Sequence, residues 1–343
     1  MSMVLADLAY WQETTIRLVV GLMAVLLPAG TLVYLFLFKM MSFMQSRLGP
    51  MEAGPYGSLQ LLAEVGKFLQ KEDILPKAAD RLVFKLAPFV VLISTFLLIL
   101  VIPAGPDLWF IDVDTGIFLG LAVSSISVIG ILMAGWASSS KYSLLGALRA
   151  TGQLIAYELP MVLAVVGVII QAGTLNVQDI VLAQATGEIF GFGGIGNPFV
   201  ITQFLGFLIF LIAVQAELTQ PPFDMPVAES ELVTGYLTEY SGLRFLMFFI
   251  GEFATAAIFS ALAATLFLGG WYVPGLDVTD NLFNIIGPII LLGKTLLIAF
   301  FIFWFRFTYP RFREDQLQQL AWKVLIPLSL INIVITGVLK VVF

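Results

Sequence analysis

Residues 82–102 read LVFKLAPFVVLISTFLLILVI, and this stretch decides the class of fold. Lys85 carries its only charge. A helix that crosses the hydrocarbon core of a membrane needs about 20 such residues. Its backbone N–H and C=O groups are then satisfied within the helix, as lipid requires. Working outward, seven more runs of the same kind occupy about 16–38, 116–136, 154–172, 199–216, 243–267, 284–305 and 324–341. No polar linker divides them. The expectation is an all-α membrane protein with about eight transmembrane helices, forming a single polytopic domain over 1–343. Composition points the same way: 59% of residues are hydrophobic and 12% are charged. A soluble domain carries about twice that charged share.

Orientation is read from the basic residues. The segment 39–81 holds Lys39, Arg47, Lys67, Lys71, Lys77 and Arg81. The segment 137–153 holds Lys141 and Arg149, and 306–323 holds Arg306, Arg311, Arg313 and Lys323. The segments 103–115, 173–198 and 268–283 contain neither Lys nor Arg. With eight spans, the loops 39–81, 137–153, 217–242 and 306–323 face the cytoplasm or its equivalent, and both termini lie outside. The membrane expected is the plasma (inner) membrane of a prokaryote, with an organelle membrane as the lesser alternative. Residues 1–15 carry Asp7 and Glu13 without a basic residue, so the first run is expected to stay as an anchor, not to be cleaved. Within the first loop, Leu59, Leu61, Leu62, Val65, Phe68 and Leu69 alternate with Gln60, Glu64, Lys67 and Lys71 at helical spacing. That spacing predicts a short amphipathic helix, lying either on the membrane surface or against a partner subunit.

The chain has no Cys and no His. Thiolate iron–sulfur ligation, His-ligated haem and the usual zinc sites are therefore not expected. Any redox centre the protein serves must sit on another chain or on a diffusible carrier. Chemistry is sought instead in ionisable residues inside the spans: Glu158, Glu252 and Lys294. A charge near the bilayer centre costs roughly 2.5–3.5 kcal/mol on insertion scales, and such residues often serve proton or ion paths. The plainer alternative is a Glu–Lys pair that only orients helices. The loop at 216–240, AELTQPPFDMPVAESELVTGYLTEY, supplies Glu217, Asp224, Glu229, Glu231 and Glu239 without a basic residue. Pro221, Pro222 and Pro226 prevent a continuous helix there. Crowded carboxylates repel one another, which suits a proton store, although an acidic face for a basic partner has the same composition. GFGGIG at 191–196 matches a dinucleotide pattern by letter. It lies in a loop between spans, not between a strand and a helix, so no nucleotide site is read from it. No metal or nucleic-acid site is read either.

Several stretches resemble one family: QSRLGP at 45–50, GPYGSLQLLAE at 54–64, KYSLLGALRA at 141–150, PPFDMPVAESELVTGYLTEYSG at 221–242 and PRFREDQLQQLAWKVLIPLSLIN at 310–332. They look like the H-type membrane subunit of bacterial NADH–quinone oxidoreductase, the family of mitochondrial complex I subunit 1, from about residue 44 to the end. The resemblance implies a multi-subunit respiratory complex. In it, such a chain meets the peripheral-arm iron–sulfur subunits and helps to form a chamber for a quinone. Quinone reduction there is coupled to proton translocation by antiporter-like membrane subunits. The family's proton-relay carboxylates correspond to Glu158, Glu217, Asp224, Glu229, Glu231, Glu239 and Glu252. Its basic residues for the chamber or for arm docking correspond to Arg47, Lys141, Arg149, Arg311 and Arg313.

The chain departs from the family pattern in one direction, by losing charge. The usual Glu-Arg-Lys reads Leu37, Phe38, Lys39; the usual Asn-Arg reads Met51, Glu52 in one place and Thr219, Gln220 in another; and a usual Glu reads Val227. The same type of membrane chain serves ferredoxin- or deazaflavin-fed complexes, an alternative in which these losses would suit an atypical quinone-like carrier. More distantly it serves membrane-bound hydrogenases. A stand-alone secondary transporter is the reading of another class. The lack of an internal repeat and the dense basic loops count against it.

Overall fold

The computed structural model describes residues 10–187, 196–273 and 283–342, and among these there is no strand. The Gly-rich motif at 191–196 lies outside them except for Gly196. Among the described residues, seven helical segments are long and apolar enough to cross a membrane. The first comprises α1 (Tyr10–Leu32), a π-helical stretch over Val33–Met40 and a final turn over Met41–Met44. Next come α2 (Gln60–Gln70), α3 (Arg81–Leu98), α4 (Gly116–Ala137) and α5 (Lys141–Ala172). The short α6 (Val177–Thr186) and the apolar α7 (Phe204–Glu217) precede α8 (Gly242–Phe267) and α9 (Phe283–Thr308). The last span joins α10 (Glu314–Gln319), a π-helical turn (Leu320–Leu325) and α11 (Ile326–Val342).

Local chemistry sets several of these boundaries. The Asp80 carboxylate accepts from the Leu82 and Val83 N–H groups and starts α3. Gly173, at φ 79°, ends α5 in the left-handed conformation that glycine adopts without strain. The fourth span is longer than its apolar run: α5 starts at Lys141, so residues 141–153 are helix and not open loop. At 32 residues α5 is about 48 Å long, well beyond the hydrocarbon thickness. The fifth apolar run is split, with one turn over Phe199–Thr202, a break at Gln203 and then α7.

A buried polar cluster lies at the break. Gln203 donates to Thr336 (2.6 Å) and accepts from Asn332 (2.9 Å), both on α11. All three side chains are buried between helices. In lipid such groups must find partners within the protein.

The bundle is centred on α8, whose residues Ala256 to Phe267 are all buried. It packs against α9, α3 and α1, while α5 packs against α4, α7 and α11. The α4–α5 approach depends on small residues. A Cβ on Gly135 would lie 2.2 Å from the Ala147 Cβ and 2.6 Å from the Ser143 carbonyl oxygen. The amphipathic α2 forms as expected and packs one side on α8 of the same chain. Phe68 stacks on Phe245 of α8 at 5.4 Å, while Leu62 and Leu69 stay exposed.

The loops sort to two ends. At one, Ser241 donates to the Glu72 carbonyl (3.0 Å), Arg244 pairs with Asp73 (3.0 Å), and Arg149 pairs with Glu231 (2.6 Å). Gln318 donates to the Gly152 carbonyl at the same end (3.1 Å). At the other, Asn176 donates to Asp112 (2.6 Å), Asn284 to Asp107 (3.0 Å) and the Trp271 indole to Gln178 (3.3 Å). The basic segments therefore gather at one end and the segments without basic residues at the other.

Candidate functional site

The segment from Leu218 to Ser241 folds back over the end of the bundle. Its prolines deny it a long helix, and only single turns form, over Glu229–Leu232 and Gly235–Leu237. Gln153 on α5 holds its first part: the buried side-chain amide donates to the Ala216 and Phe223 carbonyls, both at 2.7 Å. The Gln215 amide reaches the Pro221 carbonyl (2.7 Å), and the Phe312 N–H donates to the Pro222 carbonyl (3.0 Å). Further along, Gly235 presses on Gly146 of α5. A Cβ at Gly146 would lie 2.7 Å from the Gly235 Cα, and one at Gly235 only 1.7 Å from the Pro226 carbonyl oxygen. Tyr240 closes the segment by stacking on Phe84 (4.1 Å between rings) and donating to the Phe84 carbonyl (3.1 Å).

Three groups of ionisable residues result. The outermost is a clamp in which Glu231 accepts hydrogen bonds from Arg149 of α5 and from Arg311 in the link after α9. Arg149 also reaches Glu314 at 3.5 Å. The Arg149 hydrogen bond, with the charge of both guanidinium groups, holds the Glu231 carboxyl below its usual range although the side chain is 47% accessible.

The second group lies deeper. Glu252 is on α8, about 15 Å along the axis from Gly242. The Gln220 amide donates to its carboxylate, and the Arg306 guanidinium of α9 donates to the oxygen of the same amide. Arg306 is 3.9 Å from Glu252 itself. The Glu252 side chain is 34% accessible. Asp224 faces the same pair. Burial pushes its carboxyl up to about 6; the Ala228 N–H and Arg311 hold it back, Glu252 pushes it further, and Arg306 opposes that. Tyr236 is within electrostatic range of both carboxylates, and burial raises its phenol.

The third group pairs Glu217, at the end of α7, with Glu158 of α5, the two being within electrostatic range. The Ser125 hydroxyl of α4 donates to Glu158. One Glu217 carboxylate oxygen is enclosed and has no hydrogen-bond partner among the described residues.

The remaining expected residues lie apart. Glu239 is half-buried and has no polar partner among the described residues. Glu229 begins the turn Glu229–Leu232, and its side chain lies outside the described part. Lys141 is exposed in the first turn of α5, and Arg47 donates to Gln45 (2.8 Å) at the surface. The Arg313 side chain is 81% accessible and lies 3.5 Å from Asp315. Lys294 meets no carboxylate among the described residues. Its ammonium caps the end of α8, donating to the Leu268 and Tyr272 carbonyls at 2.6 Å each.

Four participants carried no strong sequence signal: Gln153, Gln220, Ser125 and Arg306. Two could have been suspected: Arg306, because it stands at the end of the apolar FFIFWF run at 300–305, where a charge needs a partner, and Gln220, because it departs from the family's usual Asn-Arg.

Comparison with known proteins identifies the family. A family profile described as NADH dehydrogenase matches residues 16–337. The H subunit of the NADH-quinone oxidoreductase of Anoxybacillus flavithermus is 41% identical over 100% of this chain and 99% of its own length. That of Geobacillus kaustophilus is 44% identical over 94% of this chain and 92% of its own, and that of Brevibacillus brevis 41% over 98% and 97%. On this similarity the chain belongs to the family of NADH–quinone oxidoreductase H subunits, membrane components of complex I, an oxidoreductase of the respiratory chain.

Proposed function

We propose that this protein couples the reduction of a quinone to proton movement through Asp224, Glu252, Glu217 and Glu158. The quinone is reduced by an iron–sulfur centre on a neighbouring peripheral-arm subunit. Protons then pass toward antiporter-like membrane subunits of the same complex. The observation that carries this reading is the presence of two groups of carboxylates beside the 218–241 segment. Asp224 and Glu252 both face Arg306, Gln220 links Arg306 to Glu252, and the Glu217–Glu158 pair includes an oxygen without a partner among the described residues. Groups poised in this way change proton occupancy when a nearby charge changes. Glu231, Arg149 and Arg311 form the rim that keeps the segment in place. Lys141, Arg47 and Arg313 are exposed cations at the same end, suited to docking the peripheral arm. That end faces the cytoplasm, with the protein in the plasma membrane.

The test is Glu252→Gln and Glu158→Gln, made separately in the whole complex. Each is expected to lower quinone reduction and proton pumping together by about tenfold or more, with the complex still assembled. Full activity of both variants would remove these carboxylates from the relay.

A further inference from the structure

We infer that Gln220 is a positioning residue, an uncharged bridge that holds the Arg306 guanidinium and the Glu252 carboxylate as an amide-linked pair and keeps them from closing a direct salt bridge. The inference rests on the relay reading of Glu252.

The orientation of the bridge is fixed by chemistry. A guanidinium only donates and a carboxylate only accepts, so the amide must turn its oxygen to Arg306 and its nitrogen to Glu252. The side chain has little freedom to do otherwise. Gln220 is 3% exposed, its N–H faces the Gln215 carbonyl (3.4 Å), and its own carbonyl accepts from the Phe223 N–H (2.8 Å). Both of its neighbours lie on long helices, Glu252 on α8 and Arg306 on α9. The amide therefore ties the 218–241 segment to two spans at once.

Electrostatics explains why an amide serves here. An unmediated, bidentate Arg–Glu pair in an enclosed place is strong and stays closed. Interposing a neutral group leaves the cation at 3.9 Å, close enough to stabilise the carboxylate and not bound tightly enough to occupy it. The charged and titratable groups facing Glu252 are Arg306 from α9, with Asp224 and Tyr236 from the 218–241 segment. Among the described residues, Gln220 alone hydrogen-bonds to both Glu252 and Arg306.

The experiment uses the purified complex carrying Gln220→Leu, Gln220→Asn or Gln220→Glu. Quinone reductase kcat and KM are measured across pH, with NADH oxidation by an upstream artificial acceptor as the measure of assembly. Gln220→Leu removes both hydrogen bonds at similar volume. It should lower kcat about tenfold and displace the pH profile while KM changes little. In a Glu252→Gln background, which keeps Arg306, it should shift the profile no further. Should Gln220→Leu fail to assemble, the shorter Gln220→Asn keeps the amide out of reach of one partner and should give the same displacement. Gln220→Glu, which offers Arg306 a direct partner, should displace the profile as well. A pH profile that stays put in the assembled variants overturns the bridge. Full activity of Glu252→Gln overturns the relay reading instead, so the two failures are told apart.

Discussion

Asp224 is the residue whose behaviour is most directly testable. Burial raises its carboxyl to about 6 from an ordinary 3.8, so the fold favours the neutral form. The stabilising contribution of that form is complete below about 3.8 and is lost as pH rises through about 6. At neutral pH the group is a carboxylate ready to accept a proton. Asp224→Asn should therefore remove an inflection near pH 6 from the pH dependence of quinone reductase turnover. An inflection that persists assigns it to another group. At this scale the sequence revealed the charged half of the site and little of the uncharged half. Glu158 and Glu252 stand out because a carboxylate inside an apolar run is costly enough to need a reason. Gln153 and Gln220 make equally specific contacts, yet an amide carries no charge to mark it, and Gln220 stood out only as a lost Arg of the family pattern. The missing charges at Leu37, Phe38 and Val227 are filled by packing: Phe38 is buried, and Leu37 and Val227 lie against the core.

Among the helices, spans with continuous apolar runs were legible almost to the residue. Residues 116–136 became Gly116–Ala137, and 243–267 became Gly242–Phe267. Two elements differed for identifiable reasons. The first turns of α5 carry Lys141, Arg149 and Gln153, so hydropathy alone starts the helix too late, although Gly146, Ala147 and Ala150 are buried along one face. The break at Gln203 was hidden because its partners, Asn332 and Thr336, lie about 130 residues away in sequence and only the fold brings them together. The α4–α5 seam offers a prediction. Gly135→Val places a branched side chain where a Cβ already meets Ala147 and Ser143, and overpacking of this kind costs roughly 1–3 kcal/mol. The thermal midpoint of the complex should fall, and so should the yield of this chain within it. Unchanged values for both would show that the seam can widen.

For the whole molecule, alternation of basic and non-basic segments foretold which loops share an end, and the contacts at the two ends agree. The side each end faces is open to a clean experiment because the chain has no Cys. A single Lys141→Cys should react with a membrane-impermeant thiol reagent from the cytoplasmic side only, and Asp114→Cys from the outer side only. Labelling from the opposite sides would reverse the orientation. The stand-alone transporter reading gives way to relatives at 41–44% identity that are named as subunits of one oxidoreductase.

The capping of α8 by Lys294 bears on how this molecule can move. The helix that carries Glu252 is riveted at its far tip to α9 through two short hydrogen bonds, and Arg306 and Gln220 hold its near half. Sliding lengthwise would break the rivet, whereas a small swing about it would not. A push delivered at the acidic end would thus make α8 pivot like a mast on its step, carrying Glu252 sideways against its neighbours.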